Sequence, residues 1–420
     1  DFSSSIYGSV NSAIKNGENA YLNVEKTLVY TKNSSAGIDN YGKMSIGKGG
    51  YIKSSSYGVN NRETGEIIEG SGTIATTGTY SLNTNSIKKN NIKGYTFVGG
   101  SIYNRSKSDL VLDNIIIINY GNGSAVEDDS TYKLTINNSS IYVPSSTNSY
   151  AFKTNTRGII EINNSNIYGS KAIENTLSSS SYGRTNKSIE INDSYIEGTI
   201  NSNSNMYINN SSLDNISLSS DYFNIKNSTV NTIDFTSCSL DMDNVKINGS
   251  STLRNSNSNV KLKNMNIDSI NNYSEMVIEE NVITSNLNNY GGNLEYNNSK
   301  ITNNFSNSGK AILKNSQFEN ARLGNSGTLT LENIIMTATK NDLRAIKTSG
   351  TLIINDEFKI LNYDTGIFAD GGTVTIGKDD GIVNNDNIII DTTSYSIKTA
   401  STASVNYYDG TFISDNAEVI

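Results

Sequence analysis

Three consecutive carboxylates, Glu127, Asp128 and Asp129, are the residues of this sequence best suited to chemistry. A cluster of this kind can hold Ca²⁺ beside a basic residue, or supply the carboxylate pair of a glycoside hydrolase. Arg157 and Arg184 are the basic residues that could complete such a centre. Adjacent carboxylates in a polar segment are more often simply solvated. We therefore predict no catalytic residue, no metal site and no cofactor.

The same region offers a second chemistry, the binding of a polysaccharide. Aromatic rings stack on sugar faces, and charged groups form hydrogen bonds with sugar hydroxyls. Both kinds of side chain occur in three polar segments, residues 119–129, 143–157 and 174–187. The alternative is that these segments are ordinary solvated loops. The predicted ligand-binding residues are Tyr120, Glu127, Asp128, Asp129, Tyr150, Arg157, Tyr182 and Arg184.

A repeat of the form apolar-x-apolar-x-Asn-x-x-apolar must position these residues. Leu134–Ile141 reads LTINNSSI, Ile160–Ile167 reads IEINNSNI and Met206–Leu213 reads MYINNSSL. Apolar residues two apart face one side of a strand, so each copy predicts one short strand with an apolar inner side. The fifth positions of the twelve copies are Asn114, Asn138, Asn164, Asp193, Asn210, Asn227, Asn244, Asn264, Glu280, Asn298, Asn315 and Asn333.

The spacing of the copies indicates the architecture. Asn210, Asn227 and Asn244 follow one another at a constant interval. This interval is too short for ankyrin, tetratricopeptide or propeller repeats, and it suits one coil of a β-solenoid with three short strands. The intervals between the four copies from Asn114 to Asp193 are all wider than this one. We therefore expect the three polar segments to leave neighbouring coils as inserted loops.

Asn and Gly mark the corners of the predicted coils. In stacked coils about 4.8 Å apart, the fifth-position Asn side chains can form a hydrogen-bonded ladder. At a second corner, as in Asn40–Gly42 and Asn325–Gly327, we expect these residues to adopt the left-handed backbone of a tight turn. Tyr41, Tyr273 and Tyr290 fall at that corner, which predicts a stacked row of rings, either structural or ligand-binding.

The pattern of residues 1–20 differs from that of residues 21–420. Ile6, Val10 and Ile14 fall at helical spacing, which predicts a short amphipathic helix that caps the first coil, or alternatively binds a partner. Residues 21–420 form the predicted solenoid. The chain begins without Met and is still repetitive at its end. We therefore expect it to be a fragment of a larger exported protein.

Composition limits the class of protein and its partners. Only 35% of the residues are hydrophobic, there are 34 Gly and one Pro, and neither His nor Trp occurs. The regular recurrence of apolar residues argues for a thin core rather than disorder. A net charge of −8 without a basic cluster makes nucleic acid an unsuitable partner. No apolar run is long enough to span a membrane. The single Cys238 excludes an internal disulfide, and we expect it to be buried.

Four segments carry a resemblance to a known family: GIDNYGKMSIGKGGYI from Gly37, NSGTLTLENIIM from Asn325, TSGTLIIND from Thr348 and DGGTVTIG from Asp370. They resemble the repeats of pectate-lyase-like right-handed parallel β-helix proteins of bacterial surfaces. The resemblance covers about residues 36 to 415. It implies an all-β, right-handed parallel β-helix, and it implies an adhesin-like protein without naming a ligand.

Two functions follow as expectations. The first is a monomeric bacterial cell-surface adhesin or stalk, extracellular, which presents a binding face to a glycan or protein of a host or environmental surface. The second is a polysaccharide lyase or hydrolase, or a phage tailspike, on the same scaffold. The nearly regular coils between Asp193 and Asn333 favour the first, because catalytic clefts are usually built from long loops. An ice-binding solenoid would need flat rows of Thr, and the outward positions here are mixed.

Overall fold

The computed structural model describes residues 2–9, 11–32, 36–121, 123–144, 149–154, 158–175, 188–219, 222–249, 252–339, 343–379, 381 and 387–415. These residues form an all-β fold, a parallel β-solenoid of about 18 turns with three strand positions in each coil. The β-solenoid predicted from the sequence is therefore confirmed, and the coiling is consistent with a right-handed β-helix. The chain divides into two compact units, residues 1–233 and residues 234–420.

The strands that begin in the first unit are β1 (Ser4–Gly8), β2 (Ile14–Asn16), β3 (Tyr21–Val24), β4 (Thr27–Thr31), β5 (Ala36–Asn40), β6 (Lys43–Ile46), β7 (Tyr51–Ser54), β8 (Tyr57–Asn61), β9 (Glu66–Ile67), β10 (Thr73–Thr76), β11 (Tyr80–Thr84), β12 (Asn90–Lys93), β13 (Thr96–Val98), β14 (Ser101–Asn104), β15 (Leu110–Asp113), β16 (Ile116–Ile118), β17 (Val126–Asp128), β18 (Leu134–Asn137), β19 (Ser140–Tyr142), β20 (Tyr150–Thr154), β21 (Ile160–Asn163), β22 (Asn166–Asn175), β23 (Ile189–Asn192), β24 (Tyr195–Ser202), β25 (Met206–Asn209), β26 (Ser212–Ser219), β27 (Tyr222–Lys226) and β28 (Thr229–Thr236).

The strands of the second unit are β29 (Ser239–Asp243), β30 (Lys246–Ile247), β31 (Thr252–Asn255), β32 (Asn259–Lys263), β33 (Asn266–Asn272), β34 (Glu275–Glu280), β35 (Ile283–Asn289), β36 (Asn293–Asn297), β37 (Lys300–Asn307), β38 (Lys310–Glu319), β39 (Arg322–Asn325), β40 (Thr328–Thr337), β41 (Arg344–Thr348), β42 (Thr351–Ala369), β43 (Gly372–Ile376), β44 (Ile388–Thr399), β45 (Ala403–Tyr407) and β46 (Thr411–Ser414).

Successive strands of one coil lie on three different faces. In the first unit, β1, β4, β7, β10, β13, β16 and β19 belong to the first face, and β2, β5, β8, β11, β14, β17 and β20 to the second. The third face contains β3, β6 and β9, followed by β12, β15, β18, β21, β23, β25 and β27. Each strand pairs in parallel with the equivalent strand of the next coil, so one side chain stacks on its counterpart one coil away.

The repeat supplies the core through its first and third positions. Ile136 is paired with Leu112 on one side and with Ile162 on the other, and all three are fully buried. The intervening Thr135 and Glu161 face outward and are partly exposed. Each fully buried Leu or Ile contributes on the order of 1.5–3 kcal/mol. Rows of such residues along the inner side of the faces stabilise the narrow core that the coils enclose.

The fifth position of the repeat adopts a left-handed backbone. Asn138, Asn164 and Asn315 have φ angles of 51°, 46° and 48°. The predicted ladder between these positions forms in part: Asn164 Nδ2 donates to Asn138 Oδ1 at 2.8 Å, whereas Asn315 Nδ2 donates at 2.9 Å to Asn297, which stands one position earlier in its copy of the repeat. The prediction of Glu280 as the fifth-position residue of its copy is wrong. The left-handed residue in that coil is Asn281, with φ of 52°. A register shift between β32 and β34 places one additional residue in that coil and causes the difference.

The Asn residues of the second corner behave differently from the prediction. Asn40, Asn272, Asn307 and Asn325 end strands, are buried, and do not have positive φ angles. Their amides point inward and form a second ladder, in which Asn272 Nδ2 donates to Asn289 Oδ1 at 2.9 Å. Inward amides satisfy the carbonyl groups of the bend, which have no strand partner there.

The glycines of this corner are required by close stacking of the coils. A Cβ added at Gly327 would lie 2.1 Å from the carbonyl oxygen of Gly309. An equivalent Cβ at Gly309 would lie 2.3 Å from the carbonyl oxygen of Gly292. Neither Gly309 nor Gly327 has a positive φ angle. Lack of a side chain, rather than left-handed geometry, therefore explains the Gly at this position.

The helix predicted for residues 1–20 is wrong for the described part of that segment. Ser4–Gly8 and Ile14–Asn16 are strands, and they pair in parallel with β4 and β5. Five serines, Gly8 and Gly17 make the segment a poor helix former, and a short isolated helix is marginal in water. Pairing with the second coil satisfies the backbone instead.

The inserted-loop prediction is also partly wrong. Glu127 and Asp128 lie in β17, Tyr150 lies in β20, and the third segment starts inside β22. In the first two of these coils, the added residues lie between the strands of the first and second faces, from β16 to β17 and from β19 to β20. Much of residues 143–157 and 174–187 lies outside the described residues, and so do Arg157, Tyr182 and Arg184.

Candidate functional site

The outward side of the second face in the first unit carries a stack of tyrosine rings. Tyr57, Tyr80 and Tyr103 come from β8, β11 and β14, on three consecutive coils. The ring centroids of Tyr57 and Tyr80 are 5.8 Å apart, and those of Tyr80 and Tyr103 are 4.9 Å apart, with an interplanar angle of 17° in both pairs. Because the rings cover one another, the stack presents ring edges and hydroxyl groups to solvent.

The predicted acidic residues lie at one end of this stack. Glu127 is paired with Tyr103 in the sheet, and the backbone N–H of Ser124 donates to Glu127 Oε1 at 3.3 Å. The Tyr103 hydroxyl donates to Asp129 Oδ2 at 2.6 Å. Tyr57, Tyr80, Tyr103, Glu127 and Asp129 are called the tyrosine–acid strip below.

Arg105 lies against the tyrosine–acid strip. Its guanidinium carbon lies 4.8 Å from the centroid of the Tyr103 ring, in the geometry of a cation–π contact. The exposed end of the stack is therefore covered by a cation, with two carboxylates beside it. Fixed donors and acceptors of both charges are what recognition of a hydroxylated ligand requires.

Electrostatics keep the tyrosine hydroxyls protonated. Burial, together with the hydrogen bond to the Asp129 carboxylate, raises the pKa of Tyr103 to about 12. Burial, followed by the nearby Glu127 charge, raises the pKa of Tyr80. At neutral pH both phenols are hydrogen-bond donors, and the carboxylate of Asp129 remains the acceptor of the Tyr103 proton.

One polar atom beside the strip has no partner among the described residues. Asn83, which is paired with Tyr103 in the sheet, donates through Nδ2 to Asn60 Oδ1 at 3.0 Å. Its Oδ1 atom is covered and accepts no hydrogen bond. An unsatisfied buried acceptor costs about 1–3 kcal/mol. Such groups are uncommon in folded proteins and concentrate at places where structure is not optimised for stability alone.

Asp128 has a different role from its two neighbours. It is 1% exposed and occupies a buried position one coil after Asn104, whose Nδ2 donates to Asp128 Oδ1 at 2.7 Å. The alternation of a strand directs Glu127 outward and Asp128 inward. Asp128 therefore belongs to the internal polar ladder, and the three consecutive carboxylates do not converge on one centre.

Tyr150 lies farther along the same face. Burial, together with a hydrogen bond to Glu174, raises the pKa of Tyr150. Lys171 Nζ lies 5.2 Å from the Tyr150 ring centroid, and Lys153 Nζ is 3.9 Å from Glu174 Oε2. This group extends the polar and aromatic character of the second face by two coils. Tyr120 lies apart from it, on the turn after β16, and is 62% exposed.

Sequence reasoning missed Tyr57, Tyr80, Tyr103 and Arg105. The signal was present, because Tyr57, Tyr80 and Tyr103 are evenly spaced, at an interval that matches the coils in this part of the chain. The apolar repeat of the third face does not contain these tyrosines. Tyr that recurs at the interval from Tyr57 to Tyr80 is the sequence pattern of the stack.

The predicted row at the second corner is confirmed for Tyr273 and Tyr290 in the second unit, whereas the Tyr41 ring in the first unit contacts Lys15 and Arg62 instead. The rings of Tyr273 and Tyr290 stack with centroids 4.9 Å apart, and the guanidinium carbon of Arg254 lies 5.2 Å from the Tyr273 centroid. Both rings are exposed. This pair has aromatic and cationic groups but, among the described residues, no hydrogen bond to a carboxylate, which makes it a useful comparison for the tyrosine–acid strip.

Among the described residues, no group of three His, Cys, Asp or Glu side chains is placed to hold a metal ion. The part of the chain that the structure describes also contains no helix of the length and apolarity that crossing a membrane requires. No known protein family and no curated protein matches this sequence.

Proposed function

We propose that this chain is part of an extracellular stalk or adhesin of a bacterial surface, and that it binds a glycan through the tyrosine–acid strip. The observation that carries the proposal is the fixed arrangement of Tyr80, Tyr103, Arg105, Glu127 and Asp129 on one outward face. The resemblance of the repeats to pectate-lyase-like β-helix proteins of bacterial surfaces supports the surface location.

The mode of binding follows from the geometry of the stack. Ring faces within the stack are covered by neighbouring rings, so a sugar ring cannot lie flat between them. Glu127 and Asp129 can accept hydrogen bonds from vicinal hydroxyls, and Arg105 can donate to ring or glycosidic oxygens. We therefore propose recognition of hydroxyl-rich, neutral glycans by hydrogen bonds along the edge of the stack.

The internal ladders support the stalk part of the proposal. Buried amides donate to the carbonyl groups of the bend and to the amide of the next coil. Asn272 donates to the carbonyl of Ser274 and to Asn289, and Asn289 donates to the carbonyl of Gly292. Stability in such a repeat is a sum of coil terms and nearest-neighbour terms. Coils can therefore be added without a new core, which suits a spacer that holds a binding face away from a surface.

A glycan array probed with the whole chain tests the proposal. We expect binding to one class of neutral glycan, reduced at least tenfold by Asp129→Asn or Glu127→Gln, since each removes a charged acceptor without changing shape. Glu197→Gln is the matched control, because Glu197 lies beside the Tyr195 hydroxyl on the first face of the same unit. Binding that persists in both strip variants would place the site elsewhere, and no binding by the folded chain would leave only the stalk.

A further inference from the structure

The second unit contains an open groove of 520 Å³ along the outside of β35, β37 and β39. Its lining residues are Asn286, Asn303, Asn304, Asn320, Arg322 and Leu343. The volume lies within the range of about 300–1,000 Å³ that is usual for small-molecule sites. These six residues are called the amide groove below. It has no residue in common with the tyrosine–acid strip.

The hydrogen bonds of the groove leave donors rather than acceptors available. Asn320 Oδ1 already accepts from the backbone N–H of Thr339 at 2.7 Å and from its hydroxyl at 2.8 Å. Asn286 Oδ1 accepts from Asn303 Nδ2 at 2.9 Å. The Nδ2 groups of Asn286 and Asn320 have no acceptor among the described residues and therefore remain as N–H donors on the groove wall.

Arg322 adds a positive charge that no carboxylate of the described residues neutralises. The nearest acid along the chain, Glu319, forms an ion pair with Lys300 instead. Arg322 is exposed and lies beside Asn304, with which it is paired in the sheet. An exposed guanidinium without an ion-pair partner can donate two parallel hydrogen bonds to a carboxylate. Hydrogen bonds between charged groups are stronger than those between neutral groups.

We propose that the amide groove binds an acidic saccharide, with Arg322 on its carboxylate, the amide of Asn320 on an oxygen beside it and the amide of Asn286 on an oxygen of another sugar unit two coils away. Asn286 and Arg322 are both paired with Asn304, on opposite sides of it, so the donors lie two coils or about 10 Å apart and follow the direction of an extended oligosaccharide.

Titration of the whole chain with a glucuronic-acid-containing tetrasaccharide tests this inference, followed through the Nε–H resonance of Arg322. We expect saturable binding that weakens about tenfold or more in Arg322→Gln, and also in Asn320→Asp, which keeps the acceptor for Thr339 and replaces the donor with a negative charge. Arg254→Gln is the matched control, since it removes the same charge from an Arg that lies over Tyr273.

Three further ligands separate the possible sources of binding. The methyl ester of the tetrasaccharide lacks the charge, and we expect it to bind at least tenfold more weakly. Sodium acetate and sodium sulfate carry the charge without the sugar; if either binds as tightly as the tetrasaccharide, the groove is a simple anion site and the inference is wrong. Equal binding to the parent chain and to Arg322→Gln would also overturn it. The strip variants Asp129→Asn and Glu127→Gln should leave this titration unchanged, so the two proposals fail independently.

Discussion

The buried and exposed Asn ladders predict a large and a small response, respectively, to the same substitution. Asn289 is 1% exposed in the buried ladder, and its Nδ2 donates to Asn307 Oδ1 at 2.7 Å, to the carbonyl of Gly292 at 2.9 Å and to the carbonyl of Lys310 at 3.2 Å. Asn315 is exposed in the fifth-position ladder, with φ of 48°. Both residues lie in the second unit, so Asn289→Gly and Asn315→Gly form a matched pair.

The magnitudes follow from what each substitution leaves behind. Asn289→Gly removes the donor to Asn307 Oδ1 and leaves that atom buried without a partner, which costs about 1–3 kcal/mol. Loss of the other bonds adds on the order of 1 kcal/mol, and Gly at the end of a strand adds about 0.5–1 kcal/mol. We expect a loss of about 2.5–5 kcal/mol in the free energy of unfolding. Asn315→Gly exchanges exposed bonds for water and suits the left-handed backbone, so its effect should stay within about 1 kcal/mol.

Native-state hydrogen exchange of the whole chain is the suitable assay, because it reports the stability of individual coils in a repeat protein. Amides of β35 to β38 should lose protection in Asn289→Gly and keep it in Asn315→Gly. Urea unfolding followed by tyrosine fluorescence gives the total effect. Equal losses of protection in the two variants would refute the reasoning that the buried ladder, and not the left-handed ladder, stabilises the bend.

Three other predictions concern packing, pH and the cysteine. Gly327→Ala should lower the free energy of unfolding by more than about 2 kcal/mol, because its Cβ would lie 2.1 Å from a carbonyl oxygen, whereas Gly17→Ala, with nothing within 4 Å, should be neutral in urea unfolding. The folded state raises the pKa of Tyr103 to about 12, so the stability that the neutral phenol contributes is fully present below its ordinary pKa near 10 and is lost as the pH rises from 10 to 12. Alkaline unfolding should therefore begin at a lower pH in the parent chain than in Tyr103→Phe. Unfolding of the two chains at the same pH would show that the phenol ionises freely in the folded state. Cys238 is 5% exposed and burial raises the pKa of its thiol, so a thiol reagent at pH 8 should modify it only after unfolding, and rapid modification of the native chain contradicts this packing.

The fold was predictable because one physical pattern repeats in the sequence. Apolar residues two apart, followed by Asn, specify a strand with one buried side and a left-handed corner, and Leu134–Asn138 follows this rule in the structure. The exception at Glu280 depends on a one-residue bulge, which nothing in the local sequence distinguishes from the regular repeat.

The candidate site was harder to predict, since it depends on which face each strand joins. Glu127 and Asp128 are adjacent in sequence, but the alternation of β17 sends one outward to Tyr103 and the other into the buried ladder. Tyr80 and Tyr103 are brought together by the length of a coil, so they are neighbours only after the register of the second face is known. Asn286, Asn304 and Arg322 are brought together for the same reason.

Nuclear magnetic resonance of the whole chain with ¹³Cζ-labelled tyrosine tests the central claim most directly. Addition of the glycan selected on the array should shift the resonances of Tyr80 and Tyr103, assigned by single Tyr→Phe substitutions, and should leave those of Tyr273 and Tyr290 unchanged. The second pair is stacked at the same distance and covered by an Arg, but it has no hydrogen bond to a carboxylate of the described residues. Shifts of Tyr273 and Tyr290 without shifts of Tyr80 and Tyr103 would contradict the assignment of glycan binding to the tyrosine–acid strip.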